Sequence, residues 1–216
     1  MRKIDKSKIL STEYKNWLDT ELDKKNKKHP NNSRHKYKQD VIMNLLHCQN
    51  GVCAYTEKFL CDPEDFNEDN WEAGRYKSTK RKYYGELEHF DPALKKDKYW
   101  EWDNLFVIAE TINRVKNKKE VDYILKPDAP GYDPFKLLEY NEKFHIFIPH
   151  TGINDIKVRE RIRRMINVLH LNFTPVYKER RRYFRMLAKE REFEQTVEIY
   201  QFFTAYRMAE AAKQEA

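Results

Sequence analysis

The chain has 216 residues, 36% of them charged, and its 42 Lys and Arg against 35 Asp and Glu give a formal charge of +7 and a pI near 9.1. That length suits one domain, or a small domain with helical additions, and the basic balance favours a polyanionic partner. Three cysteines argue against a disulfide framework and for a reducing cytoplasm, the N-terminus lacks an apolar signal core, no stretch approaches a membrane span, and the five glycines form neither a P-loop nor a Gly-x-Gly-x-x-Gly loop.

Residues 11–24 are predicted as a helix, with Ser11 as cap and Tyr14, Trp17, Leu18 and Leu22 near helical spacing. A polar loop runs from Lys24 to Arg34. Tyr37, Val41, Met43, Leu45 and Leu46 mark a second short helix that ends at Asn50-Gly51, a stop and turn signal. Residues 62–82, rich in Asp, Asn, Glu and Lys, have the character of a surface insertion. Tyr83 to Phe90 is predicted as one strand, Asp103 to Val107 as another, and Glu110 to Lys119 as a helix. Asp128 to Pro134 is rich in turn residues, and Lys143 to Pro149 alternates as a strand does. From Asp155 onward the pattern is helical, with Val158, Ile162, Met165, Ile166 and Leu169 on one face. Pro175 separates this helix from a long last one, from about Tyr177 to Ala211. The fold class predicted is α+β, predominantly helical, with a small ββα core embedded in N- and C-terminal helices. Residues 1–50 form the N-terminal helical region, 51–125 the core with its insertion, and 126–216 the C-terminal helical region.

The chemistry concentrates in Gly85-Glu86-Leu87-Glu88-His89-Phe90-Asp91-Pro92, Trp102-Asp103-Asn104-Leu105 and Asn113-Arg114-Val115-Lys116. Asn104 follows His89 by 15 residues, and Asn113 comes nine later. Phosphodiester hydrolysis needs a deprotonated water and neutralisation of charge on the phosphate. A neutral imidazole at His89 supplies the base. Glu88 offers a hard oxygen ligand. Adjacent strand residues point to opposite faces, so Glu88 and His89 serve one centre only if the strand ends there, and Pro92 fits such an ending. Asn104 is placed to bond backbone across the intervening loop and so fix the imidazole. Asn113 offers a neutral oxygen to a Mg²⁺ or Mn²⁺ ion, Asn117 one turn later is a further ligand, and Lys116 is in reach of a phosphate oxygen. Arg180, Arg181 and Arg182 either grip phosphates or face water on the last helix.

These segments resemble the HNH endonucleases, and within them the small HNH subunits of Septu-type and retron-associated anti-phage defence systems. The resemblance extends from about Val41 to Arg182. It rests on Gln49-Asn50-Gly51-Val52-Cys53-Ala54-Tyr55, on the three segments above, and on Arg161-Ile162 through Val168-Leu169-His170-Leu171-Asn172. It implies a ββα-metal core in which His89 is the base, Asn104 the orienting residue and Asn113 a metal ligand. It also implies nucleic acid as substrate, DNA ahead of RNA, and an ABC-type ATPase as partner, which would bind the nucleotide that this chain has no P-loop to hold. The family usually carries two Cys-x-x-Cys pairs around a structural zinc. Here they read Cys53-Ala54-Tyr55-Thr56 and Ala109-Glu110-Thr111-Ile112. One cysteine cannot hold zinc unaided, so a zinc-free version is expected, with Ala109 and Ile112 filling core space. The leading expectation is a cytoplasmic, metal-dependent endonuclease. The alternative is a weakened HNH-like subunit that binds an ATPase or nucleic acid without cutting.

Overall fold

The computed structural model of the chain describes residues 1–22, 35–116, 119–192 and 199–214. Helix outweighs strand, 47% to 12%, and the strands pair in twos, so the architecture is α+β and mainly helical. The chain divides into two compact units. One joins residues 4–54 with 59–120; the other joins 1–3, 55–58 and 121–216. The N-terminal helices therefore belong with the strands that follow them, and no division falls at residue 50.

In the first unit, α1 (Thr12–Trp17) continues into a π-turn, Leu18–Leu22. Ser11 holds the cap position, but its hydroxyl donates to Asn44 Oδ1 at 2.9 Å and leaves the helix uncapped by its side chain. Residues 23 and 24 of the predicted helix, and the loop to Arg34, lie outside the described residues. Helix α2 (Lys38–Cys48) stops where Asn50 and Gly51 turn left-handed, at φ 53° and 69°. A Cβ on Gly51 would stand 2.4 Å from both the Cys61 carbonyl and the Phe66 ring, so only glycine serves there. The predicted insertion contains a one-turn α3 (Pro63–Phe66) and a short hairpin of β1 (Trp71–Glu72) and β2 (Arg75–Tyr76). Asp40 of α2 ties that hairpin down, accepting from Tyr76 N at 2.9 Å and Arg75 Nε at 2.7 Å.

Strands β3 (Glu86–His89) and β4 (Leu105–Ile108) pair antiparallel, with Glu86 opposite Ile108 and His89 opposite Leu105, and α4 (Glu110–Lys116) follows. The order is ββα. β4 is apolar and buried throughout, although it lies at the edge of a two-stranded sheet. Its outer edge is closed by a side chain acting as a strand would: Gln49 accepts from Val107 N at 2.9 Å and donates to Val107 O at 2.8 Å. Both strands are shorter than the sequence pattern suggested. Tyr84 N–H is diverted to Leu60 O at 2.7 Å, and residues 102–104 form a 3₁₀ turn.

In the second unit, α5 (Pro134–Leu137) leads into a hairpin of β5 (Leu138–Asn141) and β6 (Ile146–Pro149). Helix α6 (Ile156–Val168) is capped by Asp155 and buries Ile162, Met165 and Ile166. Pro175 sits in the first turn of α7 (Thr174–Glu192), where a missing N–H is tolerated, so the helix begins before the proline. The single last helix expected from the sequence is not observed. α7 is described as far as Glu192, residues 199–202 are not helical, and α8 spans Phe203–Gln214, with Phe202 left-handed at φ 54° just before it. The break has a cause in Glu57: its carbonyl accepts Phe202 N–H at 3.0 Å and its carboxylate accepts Thr204 N–H at 2.9 Å. That carboxylate also pairs with the Met1 ammonium at 2.8 Å. Burial alone would raise the Glu57 carboxyl; the two cations near it, Met1 and Arg2, bring it down to about 2. Phe193 and Val197 lie outside the described residues.

Candidate functional site

A cleft of about 270 Å³ opens at the end of β3 and the start of α4, lined by Glu86, Glu88, His89, Pro92, Lys95, Asn113 and Arg114. β3 stops at His89, and Asp91 Oδ1 accepts from Ala93 N at 2.9 Å to begin the 3₁₀ turn Pro92–Lys95. Because the strand ends there, Glu88 and His89, neighbours in sequence, both wall the same cleft.

His89 is 4% exposed. Its Nε2 lies 2.7 Å from the Tyr99 carbonyl oxygen. A carbonyl only accepts, so Nε2 carries the hydrogen and Nδ1 keeps its lone pair. Burial lowers the imidazole to about 4, partly opposed by the Tyr99 bond, so the ring is neutral at pH 7. The Tyr99 ring packs against it with centroids 4.5 Å apart.

Asn104 closes the loop behind the histidine. Its Oδ1 accepts from Asp91 N at 2.8 Å, its Nδ2 donates to Asp91 O at 3.0 Å, and its carbonyl accepts Phe90 N–H at 2.8 Å. The side chain thus fixes the backbone two residues beyond His89, while the ring itself is held by Tyr99. The turn carrying Asn104 is anchored in turn by Lys6, a nearly buried ammonium that donates to Trp102 O at 2.6 Å and Leu105 O at 3.1 Å and lies 4.4 Å from the Phe106 ring centroid. Lys6 carried no signal in the sequence, where it stands among other charged residues.

Asn113, in the first turns of α4, donates from Nδ2 to Glu86 Oε2 at 2.6 Å, which leaves its Oδ1 as an acceptor. Glu86 was missed in the sequence reading, although period-two alternation from Glu88 places it on the same strand face. Among the described residues no three His, Cys, Asp or Glu side chains form a ready chelate. The cleft offers two carboxylates and one amide oxygen instead, an all-oxygen set that suits a hard cation such as Mg²⁺, which keeps several of its waters. Asn117, expected as a further ligand, lies outside the described residues.

Two expected phosphate contacts are corrected. Lys116 is fully buried and its ammonium is spent inside the fold: it pairs with Glu88 and donates to His89 O at 3.2 Å and Phe90 O at 3.1 Å. Burial raises the Glu88 carboxyl, and the Lys116 charge opposes that rise. Arg180 is also fully buried, in the other unit. It donates to His145 O at 2.9 Å and Leu171 O at 3.0 Å, and its guanidinium lies 4.8 Å from the Phe147 ring centroid. Arg181 and Arg182 are exposed on α7. The cations that do line the cleft are Lys95 and Arg114, both exposed.

At the positions compared with zinc ligands, Cys53 is buried and its sulfur accepts Ala109 N–H at 3.4 Å, Ala109 and Ile112 are core residues, and Thr56 is buried. Cys48, Cys53 and Cys61 are free thiols, and burial pushes Cys48 up to about 11 and Cys61 up to about 12. No helix among the described residues is long and apolar enough to cross a membrane. No protein-family model matches the chain, and no curated protein matches it.

Proposed function

We propose that this chain is a metal-dependent endonuclease of the HNH type that hydrolyses nucleic-acid phosphodiester bonds, as the effector subunit of an anti-phage defence complex with an ABC-type ATPase. One observation carries the reading: a neutral, buried His89, its Nε2–H given to a backbone carbonyl, lines the same cleft as Glu86, Glu88 and Asn113. That arrangement supplies a base and oxygen donors within one small volume. His89 Nδ1 takes the proton from the attacking water. Tyr99 and Asn104 hold the ring and its loop in place, so the base does not have to be ordered when substrate arrives. Glu86, Glu88 and Asn113 are the residues that would hold a Mg²⁺ or Mn²⁺ ion, which when bound supplies positive charge to the phosphate and the leaving oxygen. Lys95 and Arg114 at the wall attract the polyanion.

A second reading has one observation in its favour. The Glu88 carboxylate already has a cation, Lys116. A subunit that binds nucleic acid or an ATPase without cutting would keep that pair intact. Incubation of supercoiled plasmid with wild type and His89→Ala, in Mg²⁺, Mn²⁺ and EDTA, separates the two. The nuclease reading requires nicking by wild type in metal alone, and none by His89→Ala.

A further inference from the structure

A second cleft, of about 210 Å³, adjoins the first and shares Glu86 as a wall. Hydrolysis at His89 makes no use of it. Its remaining walls include Lys38, in the first turn of α2, Arg81 and Tyr83, on the segment entering β3, and Tyr99 with Trp100. Arg81 is held ready: Nε donates to Tyr83 O at 3.1 Å, Nη2 donates to Gly85 O at 2.9 Å, and the guanidinium lies 4.9 Å from the Tyr83 ring centroid. A guanidinium has five N–H groups, so donors remain for a ligand, and the side chain is exposed. Tyr83 and Tyr99 are half-buried in the wall, with Trp100 fully buried behind. Tyr99 lines this cleft and is tied to the first through its carbonyl, which holds the His89 ring.

Two cations beside two tyrosine rings match a group that is anionic at one end and flat and aromatic at the other. We propose that this cleft is a nucleotide subsite. It takes the base of an unpaired nucleotide next to the cut, stacked on Tyr83 and Tyr99, with that nucleotide's phosphate at Lys38 and Arg81. The base has to be unpaired because both its faces are covered in a stacked duplex, and only a splayed base offers a face to an aromatic side chain. The inference rests on the nucleic-acid reading of the first cleft and narrows it: the substrate is single-stranded, or opened, beside the scissile bond.

The test uses the full chain in EDTA and fluorescence anisotropy on labelled twelve-nucleotide strands of DNA and of RNA, and on the matching duplexes. Tyr83→Leu is expected to weaken single-strand binding about tenfold or more, the range for loss of one stacked base. Lys38→Gln is expected to lower the salt slope by about 0.7, as loss of one single-strand phosphate contact does. Duplex binding is expected to change little. A scan of single abasic positions, with wild-type protein, is expected to find one position of large loss, and it is independent of how the variants fold. Equal affinity for single strand and duplex with a flat abasic scan overturns the subsite. So does unchanged binding by both variants. If metal-dependent cutting that needs His89 persists beside those results, the nuclease reading stands and the subsite alone fails. If cutting is absent but the scan and the variants behave as stated, the subsite stands on a protein that binds without cutting. The DNA and RNA arms report which backbone is preferred.

Discussion

His89 titrates below its usual range because the ring is buried, and this has consequences of a definite sign. Its folded value is near 4 against an ordinary 6.5. The unfolded chain therefore binds the proton first, and folding stability should fall as pH drops from about 6.5 to about 4. For the same reason the acid limb of kcat/KM should lie well below pH 6.5. A pH–rate profile with its acid limb at 6.5 would show an exposed, ordinary histidine. The two asparagines should separate cleanly. Asn113→Ala removes an oxygen donor and frees Glu86, so the metal concentration for half-maximal rate should rise. Asn104→Ala removes the two bonds that its side chain makes to Asp91 N and O, at a cost of about 0.5–1.5 kcal/mol for each bond lost. It should lower kcat and stability with the metal requirement unchanged. Titrations of rate against Mg²⁺ for both variants check the distinction; an unchanged metal curve for Asn113→Ala would remove it from the ligand set. The Asn104 bridge across the loop is legible from residue type and spacing, and the bonds to Asp91 N and O are where the structure puts it; the group that holds the His89 ring is not legible. Tyr99 acts through a backbone carbonyl, which any residue type supplies.

At the scale of elements, α4 is fastened to the end of β3 by Lys116. Removing one partner of a buried ion pair typically costs about 3–5 kcal/mol, because the other charge is stranded. Lys116→Met should show a loss of that order by urea unfolding, and adding Glu88→Gln should restore much of it. If Lys116→Met instead left stability intact and only lowered nucleic-acid affinity, the side chain would be a phosphate contact after all. Sequence pattern located the elements whose signals are local. Asn50-Gly51 stops α2, Asp155 caps α6, and the apolar run Leu105–Ile108 is a buried strand. It failed where partners come from afar. The ammonium of Lys116 and the guanidinium of Arg180 read as phosphate contacts or solvated charge in a chain with 42 basic residues, and only their burial shows that they are spent inside the fold. The break before α8 is made by Glu57, 147 positions from Thr204, which it holds. A periodicity scan has no access to such a bond.

Across the whole molecule, the aromatic residues near the C-terminus sort into two sets. Phe202 and Tyr206 are buried in their unit, whereas Tyr200 and Phe203 are 39% and 38% exposed, with Arg2 lying 5.2 Å from the Phe203 ring centroid. Truncation before Phe193 would therefore remove core as well as surface. The proposed ATPase partner is expected to dock on the exposed pair, and paired substitution of Tyr200→Ser and Phe203→Ser tests that contact without removing core. It should weaken co-purification with the ATPase while shifting the melting temperature by only a few degrees, whereas Phe202→Ser should unfold the unit. Undiminished complex formation by the double variant would place the interface elsewhere. The central claim is that the cleft at His89 cuts phosphodiester bonds. It is tested most directly by comparing wild type and His89→Ala, purified in parallel and shown by circular dichroism to share one fold, on supercoiled plasmid and single-stranded oligonucleotide over a Mg²⁺ and Mn²⁺ series. The expected result is metal-dependent cleavage by wild type and none by the variant. Equal cleavage by the two proteins, or no cleavage by wild type with its partner ATPase present, would contradict it.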